Sequence, residues 1–301
     1  MQLFYSDVFV LPLPPGHRFP MEKYALLRQT LLASGDFAPR DFLLPPAADD
    51  ATLALAHHPD YIARVSRGEL SPAEQKAIGF PWSAAMVERS RRSTGATLAA
   101  ARAALEQGCA ANLAGGTHHA YADRGEGFCI FNDAAVTCLK LLAEGAIGRA
   151  LIVDLDVHQG NGTASILHHE GRVFTFSMHG AGNYPFVKEQ SDLDVPLPDG
   201  CDDATYLARL EENLTLAFDL ARPQLVLYLA GADPYQDDRL GRLGLSAAGL
   251  LQRDRLVLEE CRARRVPVAL AMAGGYARRI EDTVAIHAAT VALARQRCWQ
   301  P

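Results

Sequence analysis

The segment Asp154-Leu155-Asp156-Val157-His158 places three metal-competent side chains at alternate positions. In extended chain alternate side chains point the same way, so Asp154, Asp156 and His158 can converge on one side. A carboxylate and an imidazole two residues apart are good ligands for a divalent ion. The glycine-rich turn that follows, Gln159-Gly160-Asn161-Gly162, could pack tightly beneath such a site. Asp233, set between the apolar run LVLYLAGA and Pro234, offers a third ligand. Two Asp and one His leave coordination positions open for water and substrate, which is the pattern of a catalytic ion. Taken alone, DxDxH reads equally well as a solvated acidic turn.

His118-His119 follows Gly115-Gly116-Thr117. The doublets His57-His58 and His168-His169 show that paired histidines alone are uninformative; those two lack glycine punctuation and read as structural or exposed. Asp154 and Asn161 could accept ring N–H bonds from His118 and His119, fixing tautomer and basicity. Gly274-Gly275 permits a sharp turn that lets Tyr276 project into a cavity. A neutral phenol there is a good donor to a developing oxyanion, although GGY by itself is equally an ordinary loop tyrosine.

Something must bring these residues together. The runs Ala110–Ala114, Ala150–Val153, Val173–Met178, Leu225–Ala230 and Val266–Ala271 read as buried strands. They alternate with helical stretches over 83–107, 134–144, 203–221 and 247–264, several closed by glycine. Such alternation predicts an α/β fold, an open, mostly parallel sheet with helices on both faces. Each strand is followed by polar, metal-competent sequence: GGTHHA, DLDVHQGNG, SMHG, AGADP and AGGY. Ligands in open α/β folds bind at the carboxyl ends of strands, so one shared site is the economical reading. The proline-rich segment 11–20 reads as a loop.

Composition removes several function classes. With 301 residues and 49% hydrophobic content the chain can bury a large core. Length alone allows one domain or two; motifs spanning residues 118 to 276 must meet at one centre, so a single domain over 1–301 is expected. A formal net charge of −6 argues against direct nucleic-acid or anionic-membrane binding. The cluster Arg89, Arg91 and Arg92 reads as a solvated helix face. Cys109, Cys129, Cys138, Cys201, Cys261 and Cys298 form no CxxC pair and read as reduced thiols of a cytoplasmic protein. The N-terminus lacks the positive region of a signal peptide, and no apolar run approaches the ~18 residues of a membrane span.

The ordered set GGTHHA, GFCIFND, DLDVHQGNGT, AGADP and GGY resembles the zinc-dependent histone deacetylase family, which shares the arginase/deacetylase fold and includes acetylpolyamine amidohydrolases. The resemblance runs from Phe4-Tyr5-Ser6 to about residue 290, and DRGEGFCIFND, DLDVHQGNGT and DRLGRLGLS look closest to its class IV branch and bacterial members. It implies about eight strands. It also implies zinc ligands at Asp156, His158 and Asp233, tandem catalytic histidines at His118 and His119, and a carbonyl-polarising Tyr276. Asp154 matches the carboxylate partner of His118, and Asn161 stands where some members carry Asp. Gly127, Phe128 and Tyr184 match walls of an acyl-lysine tunnel, with Gly274 and Gly275 contributing to the substrate site. Asp154, Asp156, His158, Ser177 and Met178 resemble a monovalent-cation site for an ion such as K+.

The expected activity is hydrolysis of a linear amide, removing acetyl or another acyl group from a lysine side chain. An acetylpolyamine or other small amide is the alternative substrate, and a non-catalytic acyl-lysine binding module is a further reading. Fe2+ is also compatible with two Asp and one His. An arginase-type two-manganese ureohydrolase would need a DxHxD pattern, but position 160 is Gly. Acyl length and oligomeric state are not legible in these residues.

Overall fold

The short apolar runs of the sequence pair side by side in one sheet. The computed structural model describes residues 1–297. Its strands are β1 (Gln2–Phe4), β2 (Phe42–Leu43), β3 (Cys109–Asn112), β4 (Ala150–Asp154), β5 (Val173–Gly180), β6 (Leu193–Leu197), β7 (Leu225–Leu229) and β8 (Val268–Ala271). They form one sheet of eight strands in the order β2-β1-β3-β8-β7-β4-β5-β6. Every neighbouring pair is parallel.

The helices before β4 are α1 (Lys23–Ala33), α2 (Asp50–Leu53), α3 (Pro59–Arg67), α4 (Pro72–Ile78), α5 (Ala84–Gln107) and α6 (Asp133–Ala143). Those after it are α7 (Asn161–Leu167), α8 (Asp203–Ala221), α9 (Ala247–Arg264) and α10 (Ile280–Arg297). Their ends follow local chemistry. Ser83 caps α5 by accepting the Met86 N–H, and Gly108 ends it in the left-handed region at φ 83°. Asn132 and Ser246 cap α6 and α9 in the same way.

Both faces of the sheet are buried. Leu151 and Val153 of β4 join Tyr228 and Leu270 beneath α1, α8, α9 and α10, whereas Ala150 and Ile152 join Leu227 and Ala269 beneath α5 and α6. The period of two explains why the central strands read as continuous apolar runs: each side of the pleat faces a core. The predicted strands appear with ends shifted by one or two residues. β1 and β2 are too short to stand out. β6 carries Asp194 and Pro196, which an edge strand tolerates and an inner strand does not.

The arginine cluster departs from expectation. Arg89 is only 6% exposed, and its guanidinium donates to the carbonyls of Ser6 and Phe9. Arg92 donates to the Pro45 carbonyl and Arg91 to that of Ala48. These cations fasten two irregular segments whose carbonyls lack ladder partners, so the helix face is covered. The described cysteines, Cys109, Cys129, Cys138, Cys201 and Cys261, are all buried, and Cys298 lies outside the described residues. Burial pushes the Cys129 and Cys138 thiols up, which keeps them protonated. Among the described residues no helix is long and apolar enough to cross a membrane.

Candidate active site

Beyond the end of β4 the chain keeps its alternation. Leu155 and Val157 are wholly buried in the core, while Asp156 and His158 line a cavity of about 700 Å³. Asp233 reaches the same cavity from beyond β7, and Gly274 and Tyr276 reach it from beyond β8. Asp156, His158 and Asp233 each offer one ligand atom, and these atoms lie within 4.8 Å of one another. Backbone N–H groups fix both carboxylates: Val157 donates to Asp233 Oδ1 at 2.9 Å and Gly274 to Asp156 Oδ2 at 2.7 Å. A side chain at Gly274 would collide with both acids.

Two observations show that this trio fits a divalent cation. Among the described residues Asp233 Oδ2 is buried and accepts no hydrogen bond, and His158 Nδ1 lies 3.4 Å away. Burial, followed by the Asp156 charge, pushes the Asp233 carboxyl up to about 7. Two buried carboxylates this close repel unless a positive charge stands between them. The donor set of two carboxylates and one imidazole suits Zn2+ and also Fe2+.

The tandem histidines face the same cavity with their ring centroids 4.2 Å apart. His118 Nδ1 donates to Asp154 Oδ2 at 2.7 Å. Burial opposes its charge, but Asp154 and Asp156 outweigh that and push His118 up to about 9. His119 Nδ1 donates to Asn161 Oδ1 at 2.6 Å. Burial, then the His118 charge, holds His119 well below the ordinary histidine range. The neighbours therefore differ: Asp154 and Asp156 favour the cation on His118, and burial favours the neutral ring on His119.

Tyr276 is 8% exposed, and its hydroxyl makes no hydrogen bond among the described residues. Its main chain is held firmly. Asp238 accepts the Tyr276 N–H at 2.6 Å, and Arg239 donates to the Tyr276 carbonyl at 3.0 Å. Beneath it sits Lys23, 2% exposed. The Lys23 ammonium lies 5.0 Å from the centroid of the Tyr276 ring and donates to the carbonyls of Gly275 at 3.3 Å and Ala273 at 3.5 Å. Gly275 does not line the cavity; the space a side chain would need there is filled by Thr283, Ala232 and His287.

Gly127, Phe128 and Tyr184 form cavity walls. The Tyr184 ring stands 5.0 Å from that of His119, and its hydroxyl donates to Glu126 at 2.7 Å. Gly127 must be glycine, because a Cβ would come within 2.7 Å of the His119 ring and its φ is 54°. Phe128 rests on Phe19 and Phe80, with centroids at 5.3 and 5.2 Å. Ser177 pairs in register with Asp154, which sets Ser177 and Met178 beside the Asp154–His158 segment. His57 is structural: Nδ1 donates to Tyr121 O and Nε2 accepts the Asn132 N–H, both at 2.9 Å. His168 and His169 are exposed.

Several supporting residues carry no signal in the strand-end pattern. Asp133 accepts the N–H groups of Gly116 and Thr117 at 2.9 and 2.8 Å, which shapes the turn before His118. Its place in GFCIFND was the one available hint. Asn161 Nδ2 donates to the Tyr121 hydroxyl at 3.1 Å, fixing which end of the amide faces His119. Lys23 and Tyr121 come from helix or loop sequence with no distinguishing pattern, whereas Asp238 opens the DRLGRLGLS motif, which carried no hint of its hold on Tyr276.

The histone deacetylase domain family matches residues 17–292. An uncharacterized protein of Picosynechococcus sp. is 47% identical over 283 residues, covering 94% of each chain. Histone deacetylase 2 of Arabidopsis thaliana is 31% identical over 308 residues, covering 94% of this chain and 78% of its own. A crystal structure of an HDAC homolog complexed with SAHA superposes with a TM-score of 0.85 at 25% identity, covering 99% of this chain and 84% of the other.

Proposed function

The chain belongs to the histone deacetylase family, and from that premise we propose that it is a metal-dependent amidohydrolase removing acetyl or other acyl groups from lysine side chains. The observation that carries this reading is the meeting of the Asp156, His158 and Asp233 ligand set with His118, His119 and Tyr276 at one cavity. Asp156, His158 and Asp233 would hold the ion, Zn2+ on family grounds with Fe2+ as the alternative. When bound, the ion supplies Lewis acidity that polarises an amide carbonyl and acidifies water.

The chain's own groups account for the remaining steps. Because Asn161 takes the Nδ1–H of His119, the free lone pair of His119 is on Nε2, the nitrogen placed to accept a proton from the attacking water. His118, held as a cation against Asp154, is the proton source for the departing amine. The Tyr276 hydroxyl, with no hydrogen-bond partner to give up among the described residues, donates to the oxygen that gains charge. Gly127, Phe128 and Tyr184 enclose the acyl-lysine stem and exclude water. A monovalent cation such as K+ would sit among Asp154, Asp156, His158, Ser177 and Met178 and stiffen the ligand segment from behind. Buried, protonated thiols fit a cytoplasmic setting.

Hydrolysis of a fluorogenic acetyl-lysine substrate tests the reading. It predicts turnover that a chelator abolishes and added Zn2+ or Fe2+ restores. Substrate binding without turnover at any metal loading would identify a binding module instead.

A further inference from the structure

The walls of the cavity sort by charge. Its lining carboxylates are Asp156 and Asp233, both buried at the floor, and Glu126 at the side. Glu126 is already engaged, accepting from Arg124 at 2.9 Å and from Tyr184 at 2.7 Å. The exposed lining residues at the mouth include Arg18, Lys76 and Arg239. Among the described residues none of these three is in an ion pair with a carboxylate; Arg239 spends only its Nε, on the Tyr276 carbonyl. A fourth cation, Arg242, pairs with Asp199 at 3.3 Å with both side chains half exposed. Phe186, 82% exposed, adds an apolar ledge to the same rim.

This rim belongs to a chain whose formal net charge is −6, so the cations are concentrated against the overall balance. A cleft lined by one sign of charge attracts the opposite sign and raises its local concentration. Resting on the deacylase reading above, we propose that the substrate is an acylated lysine in an acidic peptide segment, whose flanking carboxylates pair with Arg18, Lys76 and Arg239 while the acyl group descends between Phe128 and Tyr184. A polycationic acylated polyamine, or a lysine within a basic tail, meets like charge at this mouth.

Three peptides with one central acetyl-lysine, flanked by Glu, by Ala or by Lys, test the assignment together with an acetylated polyamine. The measured quantities are kcat/KM and, by fluorescence anisotropy, peptide affinity, at low and high salt. The expected order is Glu over Ala over Lys, spanning on the order of tenfold because exposed pairs are individually weak and add. High salt should compress it. Arg18→Glu with Lys76→Glu should reverse the order; both side chains are exposed without ion-pair partners among the described residues, and a thermal melt checks that the variant folds. A flat or inverted order in the parent protein, or the polyamine as best substrate, overturns the proposal. Absence of hydrolysis with every substrate overturns the deacylase reading instead, and the affinities then decide the rim assignment independently.

Discussion

Asn161 Oδ1 accepts the Nδ1–H of His119 at 2.6 Å, where the neighbouring His118 has a carboxylate, Asp154, at 2.7 Å. Asp154 helps to hold His118 as a cation, whereas burial and the His118 charge keep His119 low and the neutral Asn161 amide does little to offset them. Asn161→Asp would place a second carboxylate against His119 and favour its cation. A base must be unprotonated, so the acidic limb of the kcat/KM profile should move to higher pH, by roughly one pH unit. A limb that stays in place would mean that His119 is not the group whose deprotonation the profile records.

Tyr276→Phe removes a hydroxyl with no protein hydrogen bond among the described residues, so folding and metal content should be unchanged. Turnover should fall about 100- to 1,000-fold, the usual cost of losing one oxyanion donor. Near-normal turnover would remove Tyr276 from the reaction.

Lys23 tests the support beneath that tyrosine. Lys23→Met keeps much of the buried stem while deleting the cation that holds the Ala273 and Gly275 carbonyls under the Tyr276 ring. The expected result is a fall in kcat on the order of tenfold with little change in KM, matching the loss of a charge-assisted contact. Lys23→Arg should recover part of it. A change confined to thermal stability would make Lys23 a packing residue only.

The pH dependence of stability has a defined source in His57. Burial holds it down to about 4 from an ordinary value of 6.5, and its Nε2 must stay unprotonated to accept the Asn132 N–H. Between pH 6.5 and 4 the unfolded chain binds a proton that the folded chain refuses. Stability is therefore complete above about 6.5 and declines as pH falls towards 4, by on the order of 3 kcal/mol from this residue. Urea unfolding across that range should show the decline, and His57→Gln should make it shallower, leaving the contributions of buried His179 and His287. An unchanged slope in the variant would contradict the assignment.

The chemistry was legible where it coincides with strand ends. Asp156, His158, Asp233, His118, His119 and Tyr276 each lie beyond an apolar run in a short segment that contains glycine, and all six reach one cavity. What tertiary structure alone brings in was hidden. Lys23 starts a helix more than 200 positions before the turn it supports, and Asp133 shapes the His118 turn from the start of α6. Arg89 resembled any surface arginine until the carbonyls of Ser6 and Phe9 folded onto it. β1 and β2 were invisible because two or three residues carry no periodicity.

In the proposed mechanism Asp156, His158 and Asp233 hold one catalytic ion. Bound metal per chain, measured in the same preparation as acetyl-lysine hydrolysis, tests it in the parent protein and in Asp233→Asn. One divalent ion per chain with turnover in the parent, and both lost in the variant, is the predicted result. Hydrolysis that persists in Asp233→Asn after its metal is gone would contradict it.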